Sequence, residues 1–363
     1  MANVLDLRRR IRSVRNTRQI TRAMKMVSAA KLRRAQERTM QARPYAQMIS
    51  SVLESLVHRT DLYDENTGEI LHPLLREREE KNILVIVIAG DKGFAGGFNT
   101  NIGKTAQKFI DARVAEGQNI DLEPVGKKAI GFYKRRFPAA NYERKEEKYD
   151  NELSTHFETI RHRGAQIEVT NEYPDLLLKT DVDAVSAMSR SIIERYEREE
   201  IDSVYIVYNE FRSVISQRVV VEKLLPIRKL GSHEITVAEV MTEEQKEAAM
   251  RAAASQGIRV TEPEESFFER EAKKFGTAEV DYIYDQEPKW LFRHLMPRYV
   301  TTQIYHALLE SIASEHAARM TATDAATKNA GDLIDALSLT MNRVRQAAIT
   351  KEIIEIVSGA AAL

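Results

Sequence analysis

The residues that could do chemistry fall into a few groups, and each is tested by its spacing. Gly97 to Thr105 (GFNTNIGKT) ends like a loop that cradles phosphate. Such a loop needs four residues between its glycines and a strand directly before it, so that backbone N–H groups and the lysine meet the phosphate chain. Here five residues separate the glycines, the apolar run Ile83–Ala89 has ended well before, and Lys104 falls in a helical pattern. The turn Gly90–Gly97 (GDKGFAGG) follows a strand and precedes a helix, where dinucleotide loops sit. It departs from GxGxxG, and no ribose-binding acid follows the next strand, so its residues favour a structural turn with close backbone packing. The eight histidines (58, 72, 156, 162, 233, 294, 306 and 316) show no HExxH or other ligand spacing. No GxSxG elbow occurs. The acid pairs Glu199–Glu200 and Glu243–Glu244 read as solvated helix faces. No catalytic set, cofactor-binding set or metal-ligand set emerges.

Composition narrows the class. The chain has 363 residues, 43% hydrophobic and 30% charged, which fits a soluble protein with at least one packed core. No run of about 20 apolar residues exists to span a bilayer. The basic N-terminus lacks the apolar core of an export signal. Cysteine is absent, which removes disulfides, thiolate metal sites and thiol switches and suits a reducing compartment. Net charge is zero, but residues 1–43 carry thirteen Lys and Arg against two acids, a net of +11.

The elements that must position these residues are two long helices and a domain between them. Residues 298–363 contain no proline and only Gly331 and Gly359. Ala326, Ala330, Leu333, Leu337, Met341, Val344 and Ala348 recur in steps of three or four, the mark of one helical face. A helix from Tyr299 to about Val357 would run roughly 90 Å, far beyond the roughly 8–20 residues of most globular helices. At the other end Val4, Leu7, Ile11 and Val14 form a clean helical seam. It predicts a helix over 1–60, reaching His58 with a kink at Pro44. A basic helix suits nucleic acid, a membrane surface or plain solvation. Its Ala- and Met-rich apolar side favours another helix as partner, and nucleic acid is not expected.

Between the rods, 61–81 reads as a linker and 82–226 as an α/β domain. Ile83–Ala89 is a β-branched run typical of a strand covered on both faces. Helix patterns at Asn101–Ala115, Lys127–Arg136 and Val182–Glu199 alternate with strand patterns at Ile120–Val125, Gln166–Val169, Val204–Tyr208 and Val214–Val221. The last two are joined as a hairpin through Asn209–Ser213. This alternation predicts a Rossmann-like, mostly parallel sheet. Segment 227–287 is acidic and reads as an insertion with its own helical structure, with helix candidates at Glu243–Ser255 and Glu264–Phe275. Segment 288–363 is the second rod, its entry punctuated by Pro288 and Pro297. The fold class expected is an antiparallel coiled coil of the two chain ends flanked by the α/β domain. Two functions fit: a mechanical stalk, or a Rossmann-like nucleotide-binding protein with a coiled-coil stalk.

Four stretches carry a family likeness: Met24–Leu32 (MKMVSAAKL), Asp91–Asn99 (DKGFAGGFN), Arg298–Tyr305 (RYVTTQIY) and Ile349–Ala360 (ITKEIIEIVSGA), supported by His316–Met320 (HAARM) and Asn329–Gly331. In these the chain resembles the gamma subunits of F-type ATP synthases. The resemblance covers about 1–226 and 282–363 and implies a non-catalytic, asymmetric central shaft. It implies a hexamer of α and β subunits around the coiled coil, and an ε subunit and a ring of membrane c subunits beside the α/β domain. The membrane would be met only through the complex, on the cytoplasmic face of a bacterial inner membrane. Met24, Lys25 and Met26 would then lie near an acidic loop of β. Arg345, Gln346 and Thr350 would contact β from the opposite helix. Ile353, Ile356, Val357 and Leu363 would turn in an apolar sleeve. No cofactor is implied. The shorter members of this family lack most of 230–281, and the paired cysteines of the chloroplast insertion are absent here.

Overall fold

The computed structural model describes residues 4–59, 72–147, 156–227, 234–258 and 283–361. Helix α1 (Val4–Arg59) and helix α7 (Pro288–Ala361) span 56 and 74 residues. At 1.5 Å per residue they measure about 84 and 111 Å. Pro288 stands at the first turn of α7, where a missing N–H costs nothing. The helix continues through Pro297, so helical structure begins at Pro288, about three turns before Tyr299. Pro44 likewise lies inside a continuous α1.

The rods run antiparallel. Thr327 Oγ1 donates to Thr21 Oγ1 at 2.7 Å, Lys25 Nζ reaches Asp324 Oδ1 at 2.5 Å, and Gly331 faces the Arg18 guanidinium. Position rises along α7 as it falls along α1.

The sheet order is β5-β2-β1-β6-β7-β8. Strands β1 (Asn82–Ile88), β2 (Asn119–Val125), β5 (Ile167–Val169) and β6 (Ser203–Ser213) are parallel. Strands β7 (Ser216–Leu225) and β8 (Glu234–Val240) continue antiparallel. The hairpin turns at Val214–Ile215, later than the predicted Asn209–Ser213, because β6 runs eleven residues. A separate hairpin of β3 (Asn141–Glu147) and β4 (His156–His162) was not foreseen.

Strand β1 explains the layering. Its side chains alternate between two cores. Ile83, Val85 and Val87 meet Ile102 and Phe109 of α2 (Phe98–Ala115). Leu84, Ile86 and Ile88 join a second core with Val185 and Ile192 of α5 (Val182–Glu197), Leu53 and Leu56 of α1, and Ile304 and Leu308 of α7. The base of the shaft is therefore part of the domain core. The other helices are short: α3 (Lys127–Tyr133) and α4 (Leu176–Lys179).

The expected linker 61–81 is in part outside the described residues. Its described end forms a 3-10 turn at Pro73–Leu75, whose Leu74 is buried and whose carbonyl accepts from Ile227 N at 3.0 Å. In segment 227–287, helix α6 (Glu243–Ala254) matches the predicted helix. The same segment also contributes strand β8 to the sheet edge, which a purely helical reading missed. Its seven residues mix charge with apolar positions at an edge, where a strand leaves little pattern. The candidate helix Glu264–Phe275 lies outside the described residues.

Candidate functional site: the shaft and its free end

The Gly-rich turn is held by the shaft. Gly90 packs so closely on α7 that a Cβ there would lie 2.8 Å from Glu315 Cδ. Gly90 N donates to Asn99 Oδ1 at 2.8 Å, and Asp91 Oδ1 accepts from Lys127 N at 3.0 Å. From α7, Arg319 pairs with Glu315 and donates to Gly93 O at 3.3 Å. Ser314 Oγ donates to Asn209 O on β6 at 3.2 Å.

In an open α/β sheet, ligands bind beyond the strand C-termini where the order reverses. Here that point lies between β1 and β6, and α7 fills it. The cavity beside the turn, about 230 Å³, is lined by residues such as Ala95, Gly97, Asn101 and Thr321, with no Lys or Arg among its described lining. On the other side of the turn a cavity of about 280 Å³ carries Lys31, Arg34, Arg38, Lys92 and Arg319, so the cations beside the turn face the two rods and not the strand ends of the sheet. Gly103, Lys104 and Thr105 sit inside α2, and Thr105 is buried. The close packing of Gly90 on α7 is what the structural-turn reading expects.

One charged constellation escaped the sequence reading. Asp121 and Glu123, alternate residues of β2, are both fully buried. Asp121 is clamped by Arg161, Arg163 and Arg195, with Arg161 Nη2 at 2.7 Å. Glu123 accepts from Arg195 at 3.1 Å, Asn171 at 3.0 Å and Tyr173 at 3.2 Å. Glu168 accepts from Arg161 at 2.8 Å and from Gly164 N at 2.6 Å. Burial pushes the Asp121 carboxyl up, but Arg161, Arg195 and Arg163 outweigh it and hold it below the ordinary range. For Glu123 burial wins and raises it. The cluster ties the β3–β4 hairpin and α5 to the sheet. Its carboxylates are fully covered and reach no substrate, so its role is structural. Only partners distant in sequence create it, which is why spacing could not reveal it.

The residues singled out from sequence fall into two places. Lys25 is only 8% exposed, and its ammonium meets Asp324 and Ser255 Oγ, each at 2.5 Å. Met24 is half-buried beside it and Met26 is exposed. The described structure thus pairs Lys25 within the chain. The register of the two rods sets Val4 level with about position 345 of α7. Beyond that level α7 has no helix beside it among the described residues. Arg345, Gln346 and Thr350 are exposed there. So are Ile353 (54%), Ile356 (71%) and Val357 (61%). Leu363 lies outside the described residues. No described helix is long and apolar enough to cross a membrane.

A two-helix shaft rooted in an α/β domain, with one helix packed across the strand ends, defines the class of a stalk protein. The model of the ATP synthase family matches residues 3–363. The ATP synthase gamma chain of Solibacter usitatus (strain Ellin6076) is 41% identical over 362 residues, covering 100% of this chain and 99% of the relative. That of Trichlorobacter lovleyi is 38% identical over 360 residues, covering 99% and 98%. The chain belongs to the ATP synthase gamma chain family. These matches run through 227–287, so chains of this length, insertion included, recur in the family. A chain of the mitochondrial ATP synthase of Euglena gracilis (OSCP/F1/c-ring, rotational state 3) has the same fold, with a TM-score of 0.50 and 18% identity, over 99% of this chain and 94% of that one.

Proposed function

We propose that this chain is the central-stalk rotor of an F-type ATP synthase, non-catalytic itself, seated on the cytoplasmic face of a bacterial inner membrane and bound to it only through the complex. The observation that carries the reading is the free end of α7. Ile353, Ile356 and Val357 are more than half exposed on a helix that has outrun its partner. Exposed apolar side chains gathered at one site call for a covering surface. A sleeve of α and β subunits would supply it, and non-directional apolar contact lets the tip turn without breaking fixed bonds. Arg345, Gln346 and Thr350, just below, would meet β through polar contacts. Met24, Lys25 and Met26 would meet β from α1. The basic start of α1 suits acidic loops, since charge attraction is long-ranged and tolerant of angle. At the other end the α/β domain would seat on ε and the c-ring. One asymmetric shaft inside a three-fold hexamer ties its angle to nucleotide affinity at each β, and that coupling is reciprocal.

The test is Arg345→Glu in the assembled complex. Pumping per ATP hydrolysed is expected to fall while the chain still folds and co-purifies with the hexamer. Unchanged pumping per ATP would remove the polar contact. Failure of the tagged native chain to co-purify with a hexameric ATPase would remove the rotor reading itself. Lys25→Glu is a poorer probe, because it would also set a carboxylate against Asp324.

A further inference from the structure

Past Lys25, toward the α/β domain, the shaft meets the Gly-rich turn, and the cleft between them collects positive charge. Lys31, Arg34 and Arg38 stand on one stripe of α1, three and four residues apart. Lys92 from the turn and Arg319 from α7 line the same cavity, about 280 Å³ in volume. Like charges one helical turn apart repel, so a stripe of this kind is costly until an anion offsets it.

The acids of the cleft are engaged elsewhere. Glu315 pairs with Arg319, and Asp91 accepts from Lys127 N at 3.0 Å. Among the described residues no carboxylate pairs with Lys31, Arg34 or Lys92. Arg38 spends one nitrogen on Thr180 Oγ1 at 3.0 Å. The lining thus sets five cations against two carboxylates, a net of +3. Arg319 is only 8% exposed and is anchored by Glu315 and the Gly93 carbonyl, so the back of the cleft is fixed. His316, beside it, accepts from Arg319 Nη1 at 3.3 Å through Nδ1, which leaves its proton on Nε2 as a further donor. Leu177, Leu309 and Ile312 add apolar lining, and charge attraction strengthens beside a low dielectric.

We propose that this cleft binds a phosphate group, either free inorganic phosphate or the phosphate end of a nucleotide. Guanidinium forks match phosphate oxygens in pairs, and lysines add point charge. The cavity lies just under the roughly 300–1,000 Å³ of sites that enclose drug-sized ligands, so a small oxyanion suits it. Bound there, the anion bridges α1, α7 and the turn.

The full chain, alone and in its assembled complex, would be treated with an amine label in inorganic phosphate, in ADP and in sodium chloride, all at one ionic strength. Labelling is read at Lys31 and Lys92 by peptide mass, so phosphate taken up elsewhere in the complex does not register. For a Kd of about 1 mM, about 10 mM phosphate fills roughly nine-tenths of the sites, and labelling should fall about tenfold. Arg34→Gln with Lys92→Gln changes two exposed side chains and should return Lys31 to its labelling in chloride. Lys92→Gln carries that arm alone if the double variant does not assemble. Protection by phosphate assigns the free ion, and protection by ADP alone assigns a nucleotide; either sustains the site. Equal labelling in phosphate, ADP and chloride would overturn it, as would full protection in the variants. Lys31 and Lys92 already shielded in the complex in chloride would give the cleft to an acidic protein surface and overturn the proposal as well.

Discussion

Residues 304–320 and 345–358 belong to one unbroken helix, yet they answer to different surroundings. In the first stretch Ile304, Leu308, Ala313, Ala317 and Met320 are buried among α1, α5, β6 and α6. In the second every described side chain is exposed, large aliphatics included. Helical periodicity continues through both, so the helix itself does not distinguish them. The lower stretch is apolar because this chain folds on it. The upper stretch has no cover among the described residues, and the proposed α and β sleeve would supply one. The same residue types therefore mean stability in one place and partnership in the other. Substitutions can separate the two meanings, since only the lower stretch should register in the stability of the isolated chain.

The largest loss should come from the built half, at Arg195→Met. It strips Asp121 and Glu123 of a shared cation inside the fold. Breaking a buried pair by removing one partner costs about 3–5 kcal/mol, read as a lower denaturation midpoint at unchanged slope. Leu32→Ala follows, at a fully buried position between the rods and α6. A cost of roughly 2–5 kcal/mol is expected. Gly90→Ala should cost about 1–3 kcal/mol through overpacking against Glu315. Gly93→Ala, with open space around it, should cost little. A dinucleotide loop would have made both glycines matter to ligand binding, so equal effects at the two would undo the structural account of the turn.

What the sequence disclosed follows the same division. Long-range periodicity and the β-branched run Ile83–Ala89 dictated the rods and the central strand, because one dominant force, burial of a repeating face, wrote them. The Asp121–Arg161–Arg195 cluster was illegible, because its members lie on β2, β4 and α5, far apart in sequence, and meet only once the sheet forms. Strand β8 was missed where an acidic segment joins an edge. Lys25 was read as an outward contact from its motif, but nothing local announces that Asp324, some three hundred residues on, stands beside it. The free tip was the opposite case: its sleeve was expected from the resemblance carried by Ile349–Ala360, and among the described residues Ile353, Ile356 and Val357 stand exposed, which suits the proposed contact.

A smaller effect is set by pH. His316 is held down to about 4 by burial first and then by Arg319, Lys31 and Lys92. The imidazole is thus neutral in the fold, whereas the unfolded chain takes up a proton near 6.5. Between those values the unfolded state binds more protons, so stability is fully present above about 6.5 and falls as pH drops toward 4. His72, likewise lowered to about 4 by burial and Arg293, adds to the same slope. Replacing His316 with Gln should flatten the acid limb of a stability profile measured from pH 7 to 4. An unchanged limb would remove His316 from the account.

The smallest effect on stability should come with the largest effect on work. Ile353→Ser, Ile356→Ser and Val357→Ser together alter three side chains that are each more than half exposed. Exposed substitutions shift stability by about 0.5 kcal/mol or less each, so the midpoint of the isolated chain should barely move. In the assembled complex the same triple variant takes apolar area away from the sleeve, at about 25 cal/mol per Å² of surface left uncovered. Seating of the tip should weaken, and ATP synthesis should fall further than hydrolysis, because synthesis must transmit torque through a held tip while hydrolysis can proceed against a loose one. If the triple variant destabilised the isolated chain as much as Leu32→Ala, the tip would be packed within the chain after all, and the division of α7 into a folded half and a gripping half would be lost.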